Sequence, residues 1–207
     1  MSASANQIPN ASREAFQIYE QTLREWQSRI NLVSATTLPD LWNRHFADSY
    51  QLVPMVQAIL TQNASRETFT LADLGSGAGF PGMVLALAET PNVHLIESDQ
   101  RKCAFLREVA RKASREAFRP TIHNDRIESV RLQADIIISR AFADFNKTLE
   151  ISQNLRNSGT TYLLLKPLDM EKELTEAAKH WYFNHEMTPS VTDPRGCVLK
   201  ITAVDKK

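Results

Sequence analysis

The sequence predicts a mixed α/β fold: a doubly wound parallel sheet that finishes in an antiparallel hairpin and carries an N-terminal helical cap. Three observations lead there. From Phe69 onward, short apolar runs alternate with helical ones, the pattern of a parallel sheet covered by helices. One of those runs, Leu71 to Leu74, enters Gly75-Ser76-Gly77-Ala78-Gly79-Phe80-Pro81-Gly82, which holds four of the chain's six glycines. Helical periodicity fills most of the stretch before that strand.

Taken in order, residues 12–30 place Phe16, Tyr19, Leu23, Trp26 and Ile30 at spacings of three and four, one face of an amphipathic helix with Ser12 as N-cap. Asn31 to Thr37 is a polar break. Leu38-Pro39-Asp40 opens a second helical run through Leu41, His45, Leu52 and Val56, with Pro54 as a point of kinking. No Gly- or Ser-rich linker follows, so residues 1–66 are expected to lie as a cap on a core domain, 67–207. Within the cap, His45 and Asp48 can share a helix face, either as a catalytic dyad or as a strut orienting the cap.

Strands are expected near 69–74, 93–97, 120–123, 134–139 and 160–166, with helices near 82–89, 101–117, 144–155 and 169–180. Tyr182 to Pro189 and Val198 to Val204 are strand-like and joined only by Ser190 to Gly196, too short for a helical crossover, so they form a hairpin. This is the outline of the class I, Rossmann-like methyltransferase fold.

Composition bounds the function. The 207 residues, 43% hydrophobic and 23% charged, suffice for one substantial domain with an appendage. Met1 to Asn10 lacks an apolar signal core, and no run is long enough to span a membrane, so a cytoplasmic protein is expected. Cys103 and Cys197 form no C-x-x-C pair and read as buried thiols, and His94, His123, His180 and His185 lack metal-ligand spacing; no metal is expected. Basic and acidic side chains number 24 each, which argues against a generally DNA-coating protein. Residues 101–131, however, hold 9 Lys and Arg against 4 Asp and Glu. There Arg107, Arg111, Arg115 and Arg119 recur every four residues, either an RNA-binding stripe or a solvated face.

In an open α/β sheet ligands bind beyond the carboxyl ends of the strands, which directs attention to four loops. In the first, Gly77-x-Gly79-x-x-Gly82 satisfies a dinucleotide pattern as well, but Asp73 lies two residues before Gly75. A carboxylate there repels a pyrophosphate and attracts the sulfonium and ammonium of S-adenosylmethionine, so the cationic cofactor is favoured over NAD. In the second loop, Glu97 ends its strand and can accept both ribose hydroxyls. The third, Asn124 to Glu128, offers the Asp125 or Glu128 carboxylate for the adenine amino group and Ile127 as an apolar face. Asp125 serves equally well as a helix cap.

The fourth loop, Ser139-Arg140-Ala141-Phe142, lacks the Pro-Pro-aromatic motif usual in methyltransferases that act on exocyclic amines. Chemistry on an already nucleophilic atom is suggested, such as guanine N7, which needs no general base. Arg140 is suited to hold guanine O6 or a phosphate as a positioning residue, and Phe142 to stack on a base; an ion pair of Arg140 with Asp135 or Asp48 is the competing account. Lys166, at a strand end on the same rim, either touches phosphate or stays in solvent.

The sequence resembles the RsmG-type (GidB) 16S ribosomal RNA guanine-N7 methyltransferases of bacteria. The resemblance covers nearly the whole chain. It rests on Asn31-Leu32-Val33-Ser34, Arg44-His45 with Asp48-Ser49, the Asp73 to Gly82 stretch, Arg101-Lys102 with Phe105-Leu106, Arg126 and Glu128, and Ser139-Arg140-Ala141-Phe142. It implies that Gly75, Phe80, Ile127, Glu128 and Arg140 line an S-adenosylmethionine pocket. The reaction implied is methylation of guanine N7 in the decoding-region loop of 16S rRNA, on naked rRNA or the small ribosomal subunit, by a monomer away from any membrane. The family's Lys-Gly after the fifth strand is here Lys166-Pro167, which puts the role of Lys166 in doubt. Arg195 matches the family's C-terminal arginine loosely and is assigned RNA contact. An NAD-dependent oxidoreductase and a non-catalytic RNA-binding assembly module are the competing functions.

Overall fold

Four consecutive buried residues make β1 (Leu71–Leu74) an interior strand of the sheet, since a strand covered on both faces has no polar side to show. β1 pairs in parallel with β2 (Val93–Glu97) on one side and β4 (Ala134–Arg140) on the other. The winding therefore reverses at β1, and the loops after β1 and β4 diverge to leave a crevice. The structure, a computed structural model, describes residues 8–62, 68–140 and 143–207.

β3 (Thr121–Asn124) extends the sheet beyond β2, and β5 (Arg156–Pro167) beyond β4, both in parallel. β7 (Gly196–Lys206) then runs antiparallel to β5, and β6 (Trp181–Pro189) antiparallel to β7. The order is β3-β2-β1-β4-β5-β7-β6, the doubly wound sheet with terminal hairpin that the sequence predicts. Helices α4 (Gly82–Leu87), α5 (Gln100–Ala113), α6 (Phe145–Ile151) and α7 (Glu171–Ala177) follow β1, β2, β4 and β5.

Strand alternation divides the core in two. Leu71, Leu95, Ile136, Ile138 and Leu163 face one layer, and Ala72, Leu74, Ile96, Ile137 and Leu164 the other. The cap belongs to the first layer: α1 (Asn10–Gln27) buries Phe16, Tyr19 and Leu23 completely, in one cluster with α4 and α5. At roughly 1.5–3 kcal/mol per fully buried large side chain, these three alone hold the cap firmly to the sheet.

The cap departs from the sequence reading at its helix ends. Pro9, not Ser12, stands at the N-cap of α1, and Ser12 lies inside the helix. The helix stops at Gln27 because that side chain accepts the Leu32 and Val33 N–H groups (3.1 Å each). The second run is three pieces: a 3-10 turn (Leu38–Asp40), a π-helical segment (Trp42–Ala47) continuing into α2 (Asp48–Tyr50), and α3 (Val53–Gln62). Pro54 sits in the first turn of α3, where its missing N–H costs no hydrogen bond, so it starts a helix instead of kinking one. α5 ends at Ala113 rather than 117, with Ser114 already extended, so the four-residue arginine period leaves the helix after Arg111. Among the described residues, no helix is long and apolar enough to cross a membrane.

Candidate active site

The turn after β1 takes the shape its glycines allow. Gly75, Gly77 and Gly79 have φ of 64°, 57° and 92°, values that side-chain-bearing residues rarely adopt. The Gly77 N–H donates to Glu97 Oε2 (2.9 Å), and Glu97 Oε1 accepts the Asp99 N–H (2.8 Å), so one carboxylate ties the turn to the end of β2. Beneath the turn, Asp73 Oδ2 accepts the Gly82 N–H (3.1 Å). A Cβ on Gly82 would meet that same oxygen at 2.6 Å, so the close approach of helix to strand requires glycine here. From the cap, the Tyr19 hydroxyl donates to the Ala78 carbonyl, and its ring stacks on Phe80 at 5.2 Å.

Arg140, at the end of β4, is the second organising group. One guanidinium nitrogen donates to the Arg44 carbonyl (3.1 Å) and to Asp48 Oδ2 (3.3 Å); the other meets His45 Nδ1 at 2.7 Å. Its cation lies 5.1 Å from the centre of the Phe80 ring. Burial, then the neighbouring Arg140 and Arg44 charges, lower the His45 pKa to about 3. The neutral ring therefore accepts from Arg140 at Nδ1 and donates from Nε2 to Thr37 Oγ1 (2.9 Å). The His45–Asp48 pair is thus a strut joined through Arg140, not a catalytic dyad.

Two cavities meet at the glycine turn. One, about 460 Å³, lies under the cap and is bordered by Gly75, Gly77, Phe80, His45 and Arg140. The other, about 390 Å³, opens toward β2 and β3 and is bordered by Gly75, Gly77, Glu97, Ile127 and Glu128. The structure thereby gathers Gly75, Gly77, Phe80, Glu97, Ile127, Glu128 and Arg140 into one continuous crevice. The outlier among the residues expected to bind the cofactor is Asp73. It is fully buried, borders neither cavity, and leaves Oδ1 without a hydrogen-bond partner. Any action of its charge on a ligand passes through the turn rather than by contact.

The residues expected to bind RNA fare unequally. α5 runs from the carboxyl edge of β2 back to the opposite edge of the sheet, a descent of about 20 Å over its 14 residues. Arg111 pairs with Glu108 (2.9 Å), and Arg115 pairs with Glu89, in the turn leading to β2. Arg111 and Arg115 are thus engaged by carboxylates along and beyond the helix, and neither they nor Arg107 borders the two cavities at the glycine turn. Phe142 lies outside the described residues. Arg195 is exposed and borders a third cavity, of about 540 Å³, between the cap and the Ser190 to Gly196 loop.

Lys166 borders that cavity too, but its side chain is only 8% exposed, and Nζ donates to the Ala143 carbonyl (2.6 Å) and Glu173 (3.0 Å). Committed on both sides, it positions the chain after β4 instead of reaching for phosphate. Lys166→Met is therefore expected to lower the melting temperature by a few degrees, through a freed Ala143 carbonyl and a Glu173 carboxylate left with the Phe145 N–H alone, while the salt dependence of RNA binding keeps its slope. A slope reduced by about one with an unchanged melt would return Lys166 to the RNA surface.

Sequence reasoning missed Tyr19 as the support of the glycine turn, Thr37 as the partner of His45, and Asp193, which meets Arg44 at 2.9 Å. Tyr19 was visible only as an apolar helix position, and Arg44 and Asp193 lie 149 residues apart, so no local signal marks either contact.

A family model described as GidB, rRNA small subunit methyltransferase G, matches residues 12–197. The ribosomal RNA small subunit methyltransferase G of Paramagnetospirillum magneticum is 46% identical over 200 residues, 96% of this chain and 92% of that protein. Its counterpart in Gluconobacter oxydans is 40% identical over 196 residues, 94% and 95% of the two chains. Among solved structures, the magnesium protoporphyrin IX methyltransferase of Synechocystis PCC 6803 with bound SAM has a TM-score of 0.58 at 13% identity, over 97% of this chain and 99% of that one. The ribosomal protein L11 methylase of Lactobacillus delbrueckii subsp. bulgaricus has a TM-score of 0.55 at 12% identity, over 74% and 79%. At such identities the structures speak for the fold alone.

Proposed function

The chain belongs to the GidB family of small-subunit rRNA methyltransferases, and from that premise we propose that it transfers the methyl group of S-adenosylmethionine to N7 of a guanine in the decoding-region loop of 16S rRNA. The observation that supports this most directly is the meeting of two cavities at Gly75 and Gly77, with Glu97 and Ile127 on one side and Arg140 on the other. A nicotinamide cofactor is not favoured.

The residues fit the cofactor on two counts. The left-handed glycine turn leaves main chain, not side chains, facing the crevice, and the unpartnered Oδ1 of Asp73 keeps a buried carboxyl oxygen below the place where a cation would rest. S-adenosylmethionine supplies an electrophilic methyl on a sulfonium. Glu97, with lone pairs to spare beyond its two main-chain donors, holds the ribose hydroxyls, and Ile127 packs on the adenine face. Glu128 accepts the adenine amino group. Neutral His45 neither gives nor takes a proton near pH 7, in keeping with a nucleophile whose ring lone pair is already available. The chain's task is alignment and exclusion of water, effects worth about 7–11 kcal/mol when geometry is held.

The reading is of a monomeric enzyme acting in the cytoplasm, where its substrate is made. Incubation with methyl-labelled S-adenosylmethionine and either naked 16S rRNA or intact small subunits is expected to label a single guanine at N7. Absence of label from every form would overturn the reading.

A further inference from the structure

The third cavity, between the cap and the Ser190 to Gly196 loop, has no part in holding the cofactor. Arg44, Asp48 and Arg140 border both it and the cavity under the cap, so the two spaces share a wall beside the glycine turn. Its charged lining is Arg44, Arg140, Lys166 and Arg195 against Asp48 and Asp193, a cationic excess in a chain whose net charge is zero. Leu165, Pro167 and Cys197 supply its apolar lining. A volume of about 540 Å³ is within the range of pockets that accept a small-molecule-sized unit.

The four cations are not equivalent. Arg140 and Lys166 are 18% and 8% exposed at the side chain and fully occupied inside the protein. Arg44 and Arg195 are 40% and 86% exposed and share a single carboxylate: Arg44 meets Asp193 Oδ2 at 2.9 Å, and Arg195 Nε lies 3.5 Å from Oδ1. Two guanidiniums on one carboxylate leave positive charge unspent at the mouth. Pairs this exposed contribute little to stability, and a phosphodiester offers a guanidinium the same two-oxygen geometry.

Parting Arg44 from Asp193 leaves the loop in place. Thr192 still donates to Asp48 Oδ1 (2.7 Å), the Val191 N–H to Gln51 Oε1 (3.1 Å), and Gln51 Nε2 to Ser190 Oγ (3.2 Å). The Arg44 main chain stays fixed as well, through the bond its carbonyl accepts from Arg140.

We propose that the guanosine to be methylated enters this cavity, unstacked from the RNA, and that Arg44 leaves Asp193 to take the adjoining backbone phosphate, with Arg195 beside it. The inference rests on the rRNA-methyltransferase reading and adds the place and the cationic contact of the substrate. Unstacked bases are how proteins reach ring atoms in RNA, and a base laid on the apolar wall has its edge toward Arg140 and the glycine turn.

The test uses whichever rRNA form the wild type methylates. Arg44→Gln is expected to raise KM for RNA about tenfold with a smaller change in kcat, and to reduce the slope of log KM against log salt by about one. Asp193→Asn, which frees Arg44, leaves KM equal or lower. The exchange R44D/D193R restores the ion pair but not KM. If the pair is only a latch, the exchange restores KM, Asp193→Asn raises it as Arg44→Gln does, and the salt slope does not move; any of these overturns the proposal. A wild type that labels no rRNA removes the functional reading itself, whereas a labelling wild type with an unaltered Arg44→Gln variant removes this inference alone.

Discussion

Exchange of Arg140 for lysine lowers methyl transfer by roughly 10²-fold, the loss expected when reacting groups move by about an ångström. Lysine keeps the charge but has no fork. It cannot hold the Arg44 carbonyl and Asp48 on one nitrogen while meeting His45 with another. The cap residues over Phe80 then lose their fixed relation to the end of β4. Exchange for alanine goes further and leaves Asp48, 17% exposed at the side chain, without its cation. Removing one partner of such a pair costs about 3–5 kcal/mol, equivalent to a fall of roughly 10 °C in melting temperature for a chain of this length.

Rate and melting temperature together decide between the two readings that the sequence left open for Arg140. A residue that only contacted guanine would lose rate on exchange for lysine with no change in melting temperature. A residue that only braced the cap would lose stability, and kcat measured well below the melt would recover. The geometry calls for both losses, because the guanidinium that fixes the cap also borders the cavity under the cap and the one beside the Ser190 to Gly196 loop. A lysine variant with kcat within threefold of wild type would sink this account.

The parts of the site that were legible in sequence are those whose signal is local. β1 and its turn announce themselves because an apolar run and four glycines are adjacent, and Glu97 and Ile127 follow from strand ends that hydrophobic periodicity locates. Apolar periodicity predicts β5 over 160–166, whereas the strand starts at Arg156, because its first residues are polar and pair beside Ala134 where no apolar pattern reveals them. The four-residue period of arginines was real in sequence but outlived the helix, because Ser114 adopts an extended conformation that periodicity does not register. Arg140 had two acidic candidates, Asp48 and Asp135. The structure gives it Asp48, while Asp135 accepts the Thr70 N–H at 2.9 Å. That choice depends on how the cap docks, which tertiary packing decides and sequence spacing does not.

Asp73 carries the other large prediction, and its sign follows from burial. Removed from water, its carboxyl is pushed up to about 7, against the pull of the neighbouring Ser76 hydroxyl, the Gly82 N–H and the Arg140 charge. A folded-state pKa above the unfolded value of 3.8 means that Asp73 favours the fold fully below about pH 4 and progressively less as pH rises through 7, by an amount on the order of 4 kcal/mol. Asp73→Asn keeps an acceptor for the Gly82 N–H and cannot ionise, so its stability is expected to stay flat across that window where the wild type declines.

Cofactor affinity moves the other way. A sulfonium and an ammonium favour the ionised carboxylate, so binding near pH 6.5 should expel a fraction of a proton, measurable as a dependence of calorimetric heat on buffer ionisation enthalpy. Asparagine abolishes that proton release. At pH 8, where the wild-type side chain is ionised, it weakens binding by roughly 30-fold, the equivalent of a charge interaction on the order of 2 kcal/mol in a partly screened interior. Equal affinities at pH 8, with no protons exchanged by either protein, would show that the buried carboxylate serves only to hold Gly82. The preference of the turn for a cation would then have to come from the crevice walls.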